Sequence, residues 1–208
     1  MSLPPLQAIV DVDVAVGAGW APADLAQACL DGGARFLQIR AKTLPSGPFL
    51  ELCDRIVALG ETAGALVIVN DRVDLARLSG ASGAHVGQED LAVGDARAIL
   101  GAAAIVGTST HTIPQIQDAM AEPATYVAVG PVFGTRTKET GYQAVGLDLV
   151  AAAARLCGTR PVMGIGGITL ATAPQVLAAG AVCIAVISDL LTGGAPAARV
   201  REYCRVLA

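Results

Sequence analysis

The chain has 208 residues, of which 53% are hydrophobic and only 3% aromatic, and its formal net charge is −4. This length suits one domain with a core of small aliphatic side chains, and the lack of a basic stripe or cluster argues against a nucleic-acid partner. The N-terminal residues show no secretory signal, and residues 161–188, although uncharged, contain too many turn-forming glycines and prolines for a membrane span. The five cysteines lack metal-site spacing and are predicted to be buried thiols in a reducing compartment. We therefore expect a cytoplasmic protein that acts on small molecules.

Apolar runs alternate with helical patterns along the whole chain. The predicted strands cover residues 6–10, 35–39, 65–69, 84–86, 104–106, 126–129, 162–165 and 182–187. The predicted helices cover residues 22–30, 49–63, 73–78, 95–100, 114–120, 147–156, 173–178 and 197–207. Strand–helix units of about 25 residues match the short end of the α/β class of (β/α)8 barrels, so we expect residues 1–208 to form a single TIM barrel, with an open doubly wound sheet as the alternative.

Residues suited to ligand binding follow the predicted strands rather than precede them. They are Arg40, Lys42, Asn70, Asp71, Asp90, Ser109, Thr135, Thr137, Lys138, Gly167 and Ser188. A closed barrel gathers the carboxyl ends of all its strands at one mouth, where the active sites of such barrels lie. This placement favours the closed barrel over the open sheet.

Two acidic residues, Asp71 and Asp90, come at the ends of consecutive predicted strands. Neighbouring parallel strands lie about 5 Å apart, so both carboxylates could surround one hard cation. Mg²⁺ is usually held by one or two carboxylates together with substrate phosphates. Two other interpretations stay open, since Asp71 could cap the helix that follows it and Asp90 could be a solvated loop acid.

Two segments late in the chain are typical of phosphate binding. The sequence GIGGI follows the seventh predicted strand, and Ser188 follows the eighth. Glycine lets backbone N–H groups approach a phosphate, a following helix N-terminus favours its charge, and loops seven and eight form the usual phosphate site of TIM barrels. A tight turn without a ligand would contain the same glycines.

A second anion site is indicated by the segment QIRAK, in which Gln38, Arg40 and Lys42 share one face of a strand. Arginine binds phosphate oxygens as a fork and lysine acts as a point charge, although an exposed strand end would have the same pattern. Residues 135–138 add two hydroxyl donors and a further cation in a long loop, which solvation alone could also explain.

The two histidines, His85 and His111, have no orienting acid beside them in the sequence, and neither is predicted to be a catalytic base. Two phosphate sites, one of them assisted by a metal, imply two phosphorylated substrates. Because no paired base and nucleophile are evident, displacement of a metal-bound diphosphate fits these residues better than hydride or acyl transfer.

Together these segments resemble the thiamine-phosphate synthase family, also called thiamine-phosphate pyrophosphorylase. The resemblance lies in six elements in unbroken order from Gln38 to Ser188: QIRAK, VNDRVDLA with HVGQEDL, GTSTH, VGPVFGTRTK, GIGGI and AVIS. It implies a TIM-barrel transferase of thiamine biosynthesis. Such an enzyme joins 4-amino-5-hydroxymethyl-2-methylpyrimidine diphosphate to 4-methyl-5-(2-hydroxyethyl)thiazole phosphate and releases thiamine phosphate and pyrophosphate.

The resemblance also implies a role for each matching residue. The pyrimidine diphosphate would be bound by Gln38, Arg40, Lys42, Asn70, Ser109 and Lys138. The thiazole phosphate would be bound by Thr135, Thr137, Gly167, Ile187 and Ser188, and Mg²⁺ by Asp71 and Asp90. The expected catalytic residues are Lys138, Arg40 and Lys42, which would stabilise departing pyrophosphate, and Ser109, which would lie against the pyrimidine. The thiazole nitrogen would then attack the developing carbocation, so no protein nucleophile is expected.

The chain departs from the family pattern at Ala41, where many relatives have an acid, and at Gly134, where many have proline, and Arg136 adds a charge between the threonines. Two alternatives are a thiazole tautomerase-like paralogue, which shares the barrel and the thiazole phosphate site, and a non-catalytic thiamine-phosphate-binding barrel. The joint presence of the diphosphate and metal residues disfavours the first, and no missing ligand supports the second. A homo-oligomer is left open.

Overall fold

The computed structural model describes residues 3–134 and 143–208. Its strands are β1 (Leu6–Asp11), β2 (Phe36–Arg40), β3 (Leu66–Asn70), β4 (Gly83–Val86), β5 (Ile105–Thr110), β6 (Tyr126–Val129), β7 (Val162–Ile165) and β8 (Cys183–Val186). Each strand pairs in parallel with the next, and β8 pairs with β1 to close a barrel. The predicted TIM barrel is therefore confirmed, and the open doubly wound sheet is wrong.

Helices alternate with the strands and cover the outside of the barrel. They are α1 (Val12–Gly17), α2 (Pro22–Asp31), α3 (Ser46–Thr62), α4 (Val73–Leu78), α5 (Val93–Leu100), α6 (Ile113–Ala121), α7 (Gly146–Cys157), α8 (Ala173–Ala178) and α9 (Pro196–Val206). A 3₁₀ segment, Ser188–Gly194, follows β8. Every predicted helix forms, with ends that differ by a few residues.

Helix α1 is absent from the sequence prediction. Its sequence VDVAVG places valines at alternate positions, which is typical of a strand rather than a helix. The Asp11 carboxylate, however, accepts a hydrogen bond from Val14 N at 3.1 Å and so caps the first turn. This cap starts the helix immediately after β1, at the mouth of the barrel.

Strand β5 extends beyond the predicted residues 104–106 and continues to Thr110. Thr108, Ser109 and Thr110 are all buried. The Thr110 hydroxyl donates a hydrogen bond to the Ala128 carbonyl at 3.0 Å. Polar side chains can therefore continue this strand because neighbouring strands supply their hydrogen-bond partners.

The strands bury apolar side chains on both faces. One layer lies between the strands and the helices, and a second fills the barrel interior with residues such as Ile9, Phe36, Ile68, Tyr126 and Met163. Because side chains alternate along a strand, the same inward faces carry polar residues nearer the carboxyl ends of the strands. The interior therefore changes from apolar to polar toward the mouth, where the candidate site lies.

All five cysteines are free thiols. Four are buried, as predicted, whereas Cys204 is only half-buried. Burial raises the pKa of Cys29 to about 12, and burial is also the main reason that the pKa of Cys53 rises to about 12. Separately, no helix within the described ranges is long and apolar enough to cross a membrane.

Candidate active site

Strand β2 directs Gln38 and Arg40 into the barrel, on the shared face that their alternation predicts. Arg40 lies opposite Asp11 in the strand register and forms an ion pair with it. The side chains are only 11% and 2% exposed, respectively. Arg40 Nε is buried and has no hydrogen-bond partner among the described residues, so an anionic ligand would satisfy a donor that this part of the protein leaves unpaired.

Asp11 is absent from the predicted site. It ends β1 in a carboxylate, and Asp71 follows β3 in the same manner. A carboxylate at the end of a predicted strand, the pattern that identifies Asp71, therefore also identifies Asp11. In the structure, Asp11 forms the ion pair with Arg40.

The acids Asp71 and Asp90 come together beside Lys42. Strands β3 and β4 are neighbours, and Asp71 follows the first of them. Asp90 is exposed in the loop after β4, and its carboxylate accepts a hydrogen bond from Gly87 N at 2.8 Å. Burial raises the pKa of Asp71, the adjacent Asp90 carboxyl raises it as well, and an ion pair with Lys42 opposes both effects. A further cation at this point would relieve the repulsion between the two carboxylates.

The alternative role of Asp71 as a helix cap is wrong. Arg72 is the N-cap residue of α4, and no side chain from residues 3–134 or 143–208 caps this helix. Asp71 itself has a φ of 61°, in the left-handed region that residues other than glycine seldom adopt. Unfavourable backbone conformations of this kind persist mainly at functional positions, which agrees with the location of Asp71 at the barrel mouth.

The acid pair has the donor set of an open magnesium site. No group of three or more His, Cys, Asp or Glu side chains able to hold a metal occurs in residues 3–134 and 143–208. Mg²⁺ does not need such a cage, because it commonly keeps water molecules and substrate phosphates beside one or two carboxylates. Asp71 and Asp90 therefore suit Mg²⁺ better than a metal that requires a closed site.

A cavity of about 490 Å³ opens at the carboxyl ends of β5 to β8. Ile165, Ile168 and Val186 form part of an apolar wall. The cavity is also lined by Ser109, Gly167, Ile187 and Ser188, which are the predicted site residues that follow or end these strands within the described ranges. The predicted thiazole phosphate ligands that can be located thus share one cavity with Ser109.

The glycine loop after β7 requires glycine for its backbone. Gly166 and Gly167 have φ values of 99° and 63°, and a Cβ on Gly167 would lie only 2.6 Å from the Gly134 carbonyl oxygen. Helix α8 begins later, at Ala173. Any phosphate in this loop would therefore depend on the amides of the loop rather than on the N-terminus of α8.

Three predicted ligands, Thr135, Thr137 and Lys138, lie outside the described residues. They follow Gly134, which lines the cavity. The roles that the resemblance implies for these three residues remain predictions.

Ser109 connects the two parts of the mouth. Gln88, from the loop that carries Asp90, donates a hydrogen bond through Nε2 to the Ser109 carbonyl at 2.6 Å. The Ser109 hydroxyl lies 2.8 Å from His85 Nε2, and His85 Nδ1 lies 2.9 Å from Tyr126 Oη. Sequence patterns do not predict this buried group, because only the barrel brings β4, β5 and β6 side by side.

Asp189, directly after Ser188, joins three elements at the cavity. Its carboxylate accepts hydrogen bonds from Leu170 N at 3.2 Å and from Arg199 Nη2 at 2.9 Å, and it also accepts one from the Tyr203 hydroxyl. Leu170 lies in the loop after β7, whereas Arg199 and Tyr203 belong to α9. Asp189 therefore ties the two predicted phosphate loops to each other and to the last helix.

A closed TIM barrel with an acid pair, a buried arginine and a glycine-lined cavity at its mouth belongs to the class of barrel enzymes that act on phosphorylated small molecules. The family model described as thiamine monophosphate synthase matches residues 9–190. The chain belongs to this family, which is a transferase family of thiamine biosynthesis. The family expected from the six sequence elements is thereby confirmed.

Individual relatives agree with the family assignment. A thiamine-phosphate synthase of Roseiflexus castenholzii is 43% identical over 185 residues, covering 89% of this chain and 81% of the relative. One of Anaeromyxobacter dehalogenans is 45% identical over 177 residues, with 85% and 79% covered. Among solved structures, a thiamine phosphate pyrophosphorylase from Pyrococcus furiosus has a TM-score of 0.88 at 28% identity, covering 97% of this chain and 94% of that one.

Proposed function

We propose that this protein is a thiamine-phosphate synthase that joins 4-amino-5-hydroxymethyl-2-methylpyrimidine diphosphate to 4-methyl-5-(2-hydroxyethyl)thiazole phosphate. The observation that carries the proposal is the meeting of two groups at one barrel mouth. An acid pair with Arg40 and Lys42 follows β2 to β4, and an apolar, glycine-lined cavity follows β5 to β8. The first group suits a diphosphate with its metal, and the second suits a phosphorylated heterocycle.

The pyrimidine diphosphate is assigned to the first group. Arg40 offers a buried Nε donor, and Gln38 in β2 and Asn70 at the end of β3 are buried as well. Asp71 and Asp90 would hold Mg²⁺, which when bound neutralises charge on the diphosphate. With a metal ion bound to Asp71 and Asp90, Lys42 would pair less strongly with Asp71 and would also contact the diphosphate.

The thiazole phosphate is assigned to the cavity. Gly167, Ile187 and Ser188 line it and would bind the phosphate, and Thr135 and Thr137 are proposed to complete that site. The aliphatic wall formed by Ile165, Ile168 and Val186 suits the apolar part of the thiazole ring.

The proposed reaction needs no protein nucleophile. The bond between the pyrimidine methylene carbon and the diphosphate oxygen breaks, and its electron pair leaves with pyrophosphate. The lone pair of the thiazole nitrogen then forms the new carbon–nitrogen bond. Arg40, Lys42 and Lys138 would stabilise the charge that grows on the leaving group, with Ser109 against the pyrimidine, and the apolar wall would exclude water as a competing nucleophile.

We also infer that residues 1–208 form one domain and that the protein acts in the cytoplasm on two small phosphorylated substrates. Closure of all eight strands into one barrel supports the single domain. The free, mostly buried thiols support a reducing compartment.

The test is to incubate the purified protein with both substrates and MgCl₂ and to measure thiamine phosphate by chromatography. Product should form only when both substrates are present, and EDTA should stop its formation. Binding of both substrates without product would favour the non-catalytic barrel. Isomerisation of a thiazole phosphate without any use of the diphosphate would favour the tautomerase-like paralogue.

A further inference from the structure

A line of buried polar side chains crosses the barrel interior between Gln38 and Ser109. Gln38 Nε2 donates to Gln7 Oε1 at 3.3 Å, and the Gln7 amide interacts with the Tyr126 hydroxyl. Tyr126 Oη lies 2.9 Å from His85 Nδ1, and His85 Nε2 lies 2.8 Å from Ser109 Oγ. The two ends of this line are proposed pyrimidine ligands, whereas Gln7, Tyr126 and His85 have no role in the proposed reaction.

The direction of the hydrogen bonds along this line determines what Ser109 can offer to a ligand. A neutral imidazole has one N–H donor and one acceptor nitrogen, and the bond at one nitrogen decides the state of the other. If His85 carries its proton on Nε2, it donates to Ser109 Oγ, and the Ser109 proton is left for a ligand. If the proton is on Nδ1, Ser109 must donate to His85, and only its lone pairs remain.

Two observations favour a proton on Nε2. Tyr126 is a phenol and is therefore a stronger donor than the serine hydroxyl at the other nitrogen. In addition, Gln7 Oε1 already accepts from Gln38, and the buried Gln7 Nε2 has no hydrogen-bond partner of standard geometry in the described part of the chain. The Gln7 amide can thus supply the Tyr126 oxygen with a donor, which leaves the Tyr126 proton for His85 Nδ1. Burial raises the pKa of Tyr126, and the Gln7 contact acts in the opposite direction, as expected when the phenol oxygen accepts a hydrogen bond.

We propose that Tyr126 is a positioning residue that holds His85 as the Nε2–H tautomer, so that Ser109 presents its hydroxyl proton to a ring nitrogen of the aminopyrimidine substrate. The identity of that acceptor rests on the proposed function. An aromatic ring nitrogen is a hydrogen-bond acceptor, so the opposite polarity of Ser109 would place two acceptors against each other.

Nitrogen-15 NMR of the imidazole rings tests the tautomer directly and does not depend on activity. The chain has only two histidines, and His111→Gln leaves the His85 signals to be assigned. The expected spectrum shows a protonated Nε2 and an unprotonated Nδ1 in His85. An Nδ1–H tautomer in the wild-type protein would overturn the proposal, whether or not the protein makes thiamine phosphate.

Tyr126→Phe tests the part played by the phenol. The Tyr126 ring stacks on His85 at 5.7 Å between centroids and contacts Phe36 edge-on at 6.2 Å, and a phenylalanine keeps both contacts. In this variant His85 should no longer be held as one tautomer, and its spectrum should show both. A matched control is Tyr203→Phe, since Tyr203 is also fully buried but donates to Asp189, and its loss should leave the His85 spectrum unchanged.

Kinetics then separate positioning from a merely structural role. Tyr126→Phe should lower kcat about 10-fold, a factor in the range that one neutral hydrogen bond provides, and should leave the KM for thiazole phosphate unchanged. An unchanged tautomer and kcat with a lowered Tm would show that Tyr126 is only structural. If the wild-type protein shows the Nε2–H tautomer but forms no thiamine phosphate, the proposed function fails while the tautomer assignment stands.

Discussion

At the scale of single residues, Asp71 and Asp90 are brought together from separate loops, and Lys42 pairs with Asp71. Changing both to asparagine should weaken Mg²⁺ binding and lower turnover by about 100-fold or more, because a metal ion contributes several kcal/mol of charge stabilisation in such reactions. Titration calorimetry with MgCl₂ and steady-state kinetics at increasing Mg²⁺ concentration measure the two effects separately.

The matched control for the acid pair is Asp74→Asn. Asp74 is also acidic and lies close in sequence, but its carboxylate is 56% exposed and pairs with Arg72 instead. This variant should bind Mg²⁺ as the wild type does. If the double variant at positions 71 and 90 binds Mg²⁺ with normal affinity, Asp71 and Asp90 are not the metal ligands.

Lys138 gives a second prediction at the residue scale, which depends on the sequence alone. If its charge stabilises pyrophosphate as the bond breaks, Lys138→Ala should lower kcat by about 100-fold, on the scale of removing one preorganised transition-state donor, with a smaller change in either KM. Lys138→Arg should recover only part of the activity, because a planar fork does not place charge as an ammonium does. Steady-state kinetics with each substrate varied in turn provide the measurement.

Arg136→Ala is the control for Lys138, since it removes a neighbouring positive charge without removing a predicted ligand. Its kcat should stay near that of the wild type. If Lys138→Ala keeps its kcat and only raises the KM for pyrimidine diphosphate, Lys138 binds the ground state and the transition state equally and has no special catalytic role.

At the scale of elements, Asp189 connects the loop after β7, the 3₁₀ segment after β8 and helix α9. Asp189→Asn should weaken these hydrogen bonds and let the two predicted phosphate loops move apart. We expect the KM for thiazole phosphate to rise about 10-fold, the equivalent of one to two charge-assisted hydrogen bonds, with the KM for pyrimidine diphosphate unchanged. Kinetics with each substrate varied, together with a thermal melt, measure the effect.

Arg97→Lys is the control at the element scale. Arg97 holds the opposite end of the barrel together by donating to the carbonyls of Pro123, Gly101 and Ala102 and to the Thr125 hydroxyl. This variant should lower Tm and leave both KM values alone. Equal rises in both KM values for Asp189→Asn would show general loosening of the barrel rather than an effect on the phosphate loops.

At the scale of the whole molecule, the buried thiols predict a loss of stability in alkali. The pKa of Cys29 and of Cys53 is raised from 9.0 to about 12. Below pH 9 each thiol is protonated in both the folded and the unfolded protein. Between pH 9 and 12 the thiol loses its proton in the unfolded chain but keeps it in the folded protein. The free energy of unfolding should therefore fall by about 1.4 kcal/mol per pH unit for each such thiol above pH 9.

Urea unfolding at several pH values between 8 and about 10.5 measures this slope. Cys29→Ala should reduce the slope by about the contribution of one thiol, which is about 1.4 kcal/mol per pH unit. Cys204→Ala, which removes a half-buried thiol, should reduce the slope less. The account of alkaline stability is wrong if Cys29→Ala leaves the slope as it is in the wild type.

The strands, most of the helices and the family were accessible from the printed residues because they depend on local signals. The eight apolar runs, the turns between them and six short motifs each lie within a few positions of one another. Helix α1 was the exception among the helices, since its alternating valines resemble a strand and only the cap from Asp11 reveals the helix. The polar end of β5 could not be predicted for a related reason. The Thr110 hydroxyl can be buried without losing a hydrogen bond only because it donates to the Ala128 carbonyl of the next strand.

The internal connections of the site could be found only in three dimensions. Arg40 and Asp11 are 29 positions apart, His85 and Tyr126 are 41 apart, and His85 and Ser109 are 24 apart. Each pair meets because closure of the barrel and the register of its strands point both side chains inward at the same height, and no local pattern of residue types encodes that register. The sequence thus reveals the candidate ligands and the family, whereas the folded barrel decides which side chains orient those ligands.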